Sequence, residues 1–226
     1  MSQPTVVGGG GGGGAADAMA EPQGGGGVGG YAVELYFDPA LENQVLKAWN
    51  VLARRQISTR LIDISARPHL TLLSFPASPS PPDPLRLLSP LRSLSSRVDP
   101  LPLSLSSVAS FPSPSPSADG DGGGGGVLFL APTPTAALLG LHAQLCEVLK
   151  KEGIEAPEGF RPDSWVPHCA VAEDVPRARM AEAFCILRDL KLPVSGYAMD
   201  IGSSSSPLFG RSSPSPSAAN PEVLFG

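Results

Sequence analysis

The feature that most constrains this chain is a short pattern that occurs twice. The first copy is Arg67-Pro68-His69-Leu70-Thr71-Leu72-Leu73 and the second is Trp165-Val166-Pro167-His168-Cys169-Ala170-Val171. The chain has three histidines, and two of them stand directly after a proline at the start of a β-like run. Alternate side chains of an extended strand share a face. His69 therefore points with Thr71, and His168 with Ala170, while Leu70, Leu72, Cys169 and Val171 point the other way. A chain that repeats such a unit is steered toward two similar halves whose histidines face each other.

The surrounding elements repeat as well. Tyr31–Phe37 reads as a strand from its β-branched and aromatic content. Asp38-Pro39 reads as an N-cap and first helical turn, with Leu41, Val45, Trp49 and Leu52 at helical spacing. The His69 strand follows, then a weaker helix in 84–98. Pro90 inside it predicts a true start at Ser89-Pro90, with Leu91, Leu94 and Val98 facing inward. Leu101–Phe111 closes the first lobe. In the second, Val127–Leu130 is a strand. Thr133-Pro134 opens a helix carrying Leu138, Leu141, Leu145, Val148 and Leu149. After the His168 strand, Asp174 and Pro176 open a helix with Met180, Phe184 and Leu187 on its apolar face. Tyr197–Ile201 and Glu222–Phe225 form a final hairpin. The predicted class is α+β, with lobe 1 at about 31–111 and lobe 2 at about 127–226.

Low-complexity segments punctuate this order. Residues 1–30 form a Gly-rich tail, and the stretches 76–84, 112–126 and 203–220 are rich in Ser, Pro and Gly. Such segments bury too little apolar surface to offset their ordering entropy, so they are expected to be disordered. About 150 to 160 residues remain for one core. The net charge of −5 offers no basic excess for an extended nucleic-acid groove. A phosphate ligand, if there is one, should be small or held at one end. Three cysteines without framework spacing suggest free thiols and a reducing compartment. No apolar run reaches membrane-spanning length. The N-terminus lacks a secretory pattern, and Lys47 is the first basic residue, so cytoplasm or nucleus is expected.

Two histidines with ring pKa values near neutrality suit paired proton transfer. Thr71 shares the His69 face and can donate to a phosphate oxygen. Arg67 can reach a phosphate, and Trp165 can stack on a base. Tyr31 and Tyr36 read equally well as core. His142, beside an apolar helix face, reads as structural. Cys146 and Cys185 read as small buried groups in helices. No metal site is expected, because Cys-x-x-Cys and His-x-x-x-His spacings are missing around His168 and Cys169. Gly8–Gly14 is a homopolymer rather than a phosphate loop, without a preceding strand or a Lys-Ser/Thr ending.

His69-Leu70-Thr71-Leu72 and His168-Cys169-Ala170-Val171 resemble the paired His-x-Thr/Ser-x motifs of the two-histidine (2H) phosphoesterase superfamily, which includes 2'-5' RNA ligase-like proteins and cyclic nucleotide phosphodiesterases. The resemblance extends over about 31–226. It implies two pseudo-symmetric lobes, each a largely antiparallel sheet with helices outside, and an active-site cleft between them. It further implies catalytic His69 and His168 as acid and base, without metal or cofactor, and substrate binding by Thr71. The implied substrate is a small nucleotide or RNA terminus bearing a 2',3'-cyclic phosphate or 2'-5' linkage, and the expected state is a monomer. Ala170 departs from the pattern, since no hydroxyl stands where the family has one. Two alternatives follow: a nucleotide or RNA-end binding module without turnover, and a scaffold acting through its Ser/Pro-rich loops. The sequence leaves open which histidine is the base.

Overall fold

The protein is described by a computed structural model that covers residues 30–76, 81–112 and 125–206. The expected strand Glu222–Phe225 lies outside the described residues. Strand β1 is Gly30–Phe37. Helix α1, Pro39–Arg54, follows directly, because Asp38 caps it by accepting the N–H groups of Ala40 (2.7 Å) and Leu41 (2.9 Å). Leu41, Val45, Ala48, Trp49 and Leu52 form its buried stripe. A single turn, α2 (Arg60–Asp63), leads to β2 (His69–Phe75). Helix α3 spans Leu85–Ser95 and β3 spans Leu101–Pro112. The second half gives β4 (Gly126–Pro132), α4 (Ala136–Lys151, capped by Thr135), β5 (Cys169–Val175), α5 (Met180–Arg188) and β6 (Val194–Ser206).

Several boundaries differ from those the sequence predicts; α4, for one, opens with Thr135 as its cap rather than at Thr133-Pro134. Helix α3 begins a turn before Pro90, because Asp83 Oδ1 accepts the Leu85 N–H at 2.9 Å. Pro90 then sits inside the helix without an N–H for the preceding turn. Burial of Leu87, Leu91 and Leu94 offsets that loss. Strand β5 continues through Asp174, so α5 starts only at Met180, after the 3-10 turn Arg177–Arg179. Strand β6 runs on to Ser206, through serines that composition assigned to an insert. Pairing with β1 overrides their weak strand preference.

The six strands of the described residues make one antiparallel sheet in the order β2-β1-β6-β3-β4-β5. The order is unchanged when read from the other end with β1, β2 and β3 exchanged for β4, β5 and β6, so the repeat survives as a pseudo-two-fold of the sheet. Its third strands are exchanged, however. β3 pairs with β4 and β6, whereas the sequence predicted that it would close the first half. Among the described strands, the exchange joins both halves through β6 and β3 and leaves β2 and β5 as the edges. One face of the sheet packs against the helices in a continuous core that includes Val33, Leu35, Leu70, Leu72, Leu128, Leu130, Cys169 and Val171. The sheet bends until its two edge strands come into contact.

Candidate functional site

The meeting of β2 with β5 brings the two motifs together. Proline precedes each histidine and lacks an N–H, so each strand ladder begins at the motif. The two rings are tied in the same way. His69 Nδ1 lies 2.6 Å from the Arg67 carbonyl oxygen, and His168 Nδ1 lies 2.8 Å from that of Val166, in each case two residues back. A carbonyl can only accept, so Nδ1 carries the hydrogen in both rings and Nε2 is left for proton exchange. The rings are near enough that charge on His69 disfavours charge on His168.

Their surroundings differ. His69 Nε2 is 3.5 Å from Glu34 Oε1. Glu34 is buried and accepts two hydroxyl hydrogen bonds, from Tyr36 at 2.6 Å and from Ser204 at 2.5 Å. Burial, and then the Glu34 carboxylate, push the Tyr36 phenol far above its ordinary pKa, so it remains a donor. His168 instead makes T-shaped contacts with two phenyl rings, Phe111 (centroids 5.2 Å apart) and Phe129 (5.5 Å), which are themselves stacked at 4.3 Å. Burial lowers the His168 pKa, the Val166 carbonyl opposes this, and His69 lowers it further.

Thr71 and Ala170 occupy equivalent places, two residues beyond each histidine and opposite Glu34 and Phe129 respectively. Arg67 is held by Glu42, with both Nε and Nη2 at 3.0 Å from Oε2, and its guanidinium lies over Tyr36 at 4.8 Å. Trp165 does not present a ring for base stacking. It is buried and stacked on His142 at 3.9 Å, and its indole N–H donates to the Thr71 carbonyl at 3.1 Å. His142 is buried as well, with Nε2 3.1 Å from the Leu72 carbonyl oxygen. Burial lowers its pKa. Cys146 is half-buried and Cys185 is exposed, which corrects the expectation for Cys185, because α5 turns that side outward. Cys169 is the fully buried thiol, with its pKa pushed up to about 12 by burial.

Sequence reasoning missed two groups. Glu34 had a signal, as the only charged residue within Tyr31–Phe37. Trp49 had none. Its indole N–H donates to the Ala170 carbonyl at 3.1 Å, mirroring the bond from Trp165 to Thr71. The chain's two tryptophans thus cross-brace the two edge strands, each at the residue two beyond a histidine.

A family model described as the 2'-5' RNA ligase superfamily matches residues 39–201. The chain belongs to this superfamily. The match contains both motifs and every element from α1 into β6, leaving β1 just outside it. A solved structure titled "Crystal structure of phosphoesterase" is 16% identical, with a TM-score of 0.43 over 80% of this chain and 89% of that one. No curated protein matches. Among the described residues of this superfamily member, no three His, Cys, Asp or Glu side chains converge as a metal site, and no helix is long and apolar enough to cross a membrane.

Proposed function

We propose that the chain is a phosphodiesterase for the 2',3'-cyclic phosphate or 2'-5' linkage of a nucleotide or RNA end, with His69 and His168 as its acid/base pair. The observation that carries this reading is the matched tethering of the two rings. Each gives Nδ1–H to a main-chain carbonyl and keeps Nε2 for the reaction. One imidazole takes a proton from the water that attacks phosphorus, and the other protonates the departing ribose oxygen. Thr71 supplies a hydroxyl to a phosphate oxygen, and fixed donors of this kind stabilise developing charge. The mechanism needs no metal. Arg67, already paired with Glu42, would serve a phosphate only by sharing that partner.

The test is turnover of a 2',3'-cyclic nucleotide in EDTA. The expected result is chelator-resistant hydrolysis that falls by about 100- to 10,000-fold in His69→Ala and in His168→Ala. Inhibition by EDTA that zinc reverses overturns the mechanism. Ala170, with no hydroxyl, favours a second reading, a binder of the same ligands without turnover. Tight binding with no hydrolysis by the wild type supports that one instead.

A further inference from the structure

The two halves repeat their histidines but not the residues that face them. Thr71 pairs with Glu34 across β1 and β2, and its counterpart Ala170 pairs with Phe129 across β4 and β5. The pseudo-two-fold therefore sets a carboxylate in one half against a phenyl ring in the other. We infer that Glu34 is a positioning residue that makes the pair unequal, with His69 the proton-bearing general acid and His168 the neutral general base. This rests on the hydrolytic reading above and concerns which histidine is the base, the choice that the sequence left open.

The geometry supports each part. With the Arg67 carbonyl oxygen at Nδ1 and Glu34 at Nε2, both nitrogens of His69 face acceptors, the arrangement that a doubly protonated ring satisfies. The 3.5 Å separation from Glu34 is longer than a direct charge-assisted hydrogen bond of about 2.7–2.9 Å, so Nε2–H is not locked to Glu34 and can be shared with a leaving oxygen. Tyr36 and Ser204 each donate to one carboxylate oxygen and hold it in place. The other titratable or charged groups near His69 are Asp200, which pairs with Tyr36 on β6, and His168, Cys169 and Glu173 of the second motif's strand. Arg67 lies close but is bound to Glu42. His168 has no carboxylate partner among the described residues. Two phenyl rings and His69 lie around it, and burial favours its uncharged ring.

The step balances. Water oxygen bonds to phosphorus as its proton passes to His168 Nε2. The bond from phosphorus to one ribose oxygen breaks, and that oxygen takes the proton from His69 Nε2. Proton exchange with solvent then restores both rings.

The deciding experiment compares kcat/KM against pH for the wild type and Glu34→Gln, using a 2',3'-cyclic nucleotide. Loss of a carboxylate beside the acid should move the alkaline limb to lower pH and leave the acidic limb in place. Glu34→Asp should restore part of the shift. Movement of the acidic limb alone assigns His69 as base and overturns the inference, as do superimposable profiles. Tyr36→Phe and Ser204→Ala, which release the carboxylate without removing it, should give smaller shifts of the same sign and serve if Glu34→Gln does not fold. Ring-proton NMR titration of the free protein, with the His69 signal assigned from His69→Ala, needs no turnover. If the wild type is inactive, the hydrolytic reading fails alone. A His69 signal that titrates at lower pH in Glu34→Gln then still supports the role of Glu34, and an unmoved signal overturns it.

Discussion

At the scale of single residues, the question is what Thr71 does that Ala170 does not. Both stand two residues beyond a histidine, and each faces across the sheet to a different chemistry, Glu34 or Phe129. A hydroxyl aimed at phosphate contributes about 1.5–3 kcal/mol when the acceptor is charged, or roughly 10- to 150-fold in rate if the bond forms mainly in the transition state. Thr71→Ala should therefore lose activity by that factor. Ala170→Ser should gain activity, by a smaller factor if Phe129 crowds the new hydroxyl. Steady-state rates on a 2',3'-cyclic nucleotide decide it. If Thr71→Ala is damaging and Ala170→Ser is silent, phosphate is held from the first motif only, in keeping with the inequality of the two histidines. If neither substitution matters, phosphate is not held at these positions.

At the scale of elements, edge strands β2 and β5 carry the site, and edges leave main-chain groups without ladder partners. Here side chains supply them. Trp165 donates to the Thr71 carbonyl and Trp49 to that of Ala170, each at 3.1 Å. Ser58 also donates to the Glu173 carbonyl at 2.7 Å. Trp49→Phe and Trp165→Phe keep an aromatic ring but leave a carbonyl without its donor, so each should lower stability by about 1–3 kcal/mol. Urea denaturation measures this, and phenylalanine variants as stable as the wild type would show that the braces do nothing. The braces also mark a limit of what the sequence discloses. The histidine strands, α1 and α4 were legible because a period or a cap is local. Asp38-Pro39 and the stripe from Leu41 to Leu52 need nothing distant. Trp49 and Trp165 were not, because they stand at unrelated distances from their histidines and act on the opposite half. Glu34 was visible as a charge in an apolar strand, but its partner Ser204 fell in a serine run that reads as loop until β1 pairs with it.

At the scale of the whole molecule, the exchange of β3 and β6 ties the halves into one sheet, and no local signal reveals it, since chain order is compatible with either pairing. Its consequence is that protonation in one half is felt by the common fold. Burial depresses the pKa of both His142 and His168, so both are neutral in the folded protein near neutrality. An unfolded histidine titrates near about 6.5. Below that pH the unfolded chain binds protons that the folded one refuses, and stability falls as pH falls. Glu173 acts in the opposite sense. Burial raises its pKa despite Arg60, so it favours the folded state as pH drops from its raised pKa toward the ordinary carboxylate value. Two depressed histidines oppose one raised carboxyl, and acidification from about 7.5 to 5.5 should lower the urea midpoint. His142→Gln isolates the contribution of the buried ring stacked on Trp165. It should be less stable than the wild type at pH 7.5, having lost that stack, yet lose less of its remaining stability on acidification. Midpoints measured at pH 7.5, 6.5 and 5.5 for both proteins give the two slopes. Equal slopes would mean that His142 takes up protons alike in the folded and unfolded chains, leaving His168 to carry the whole dependence.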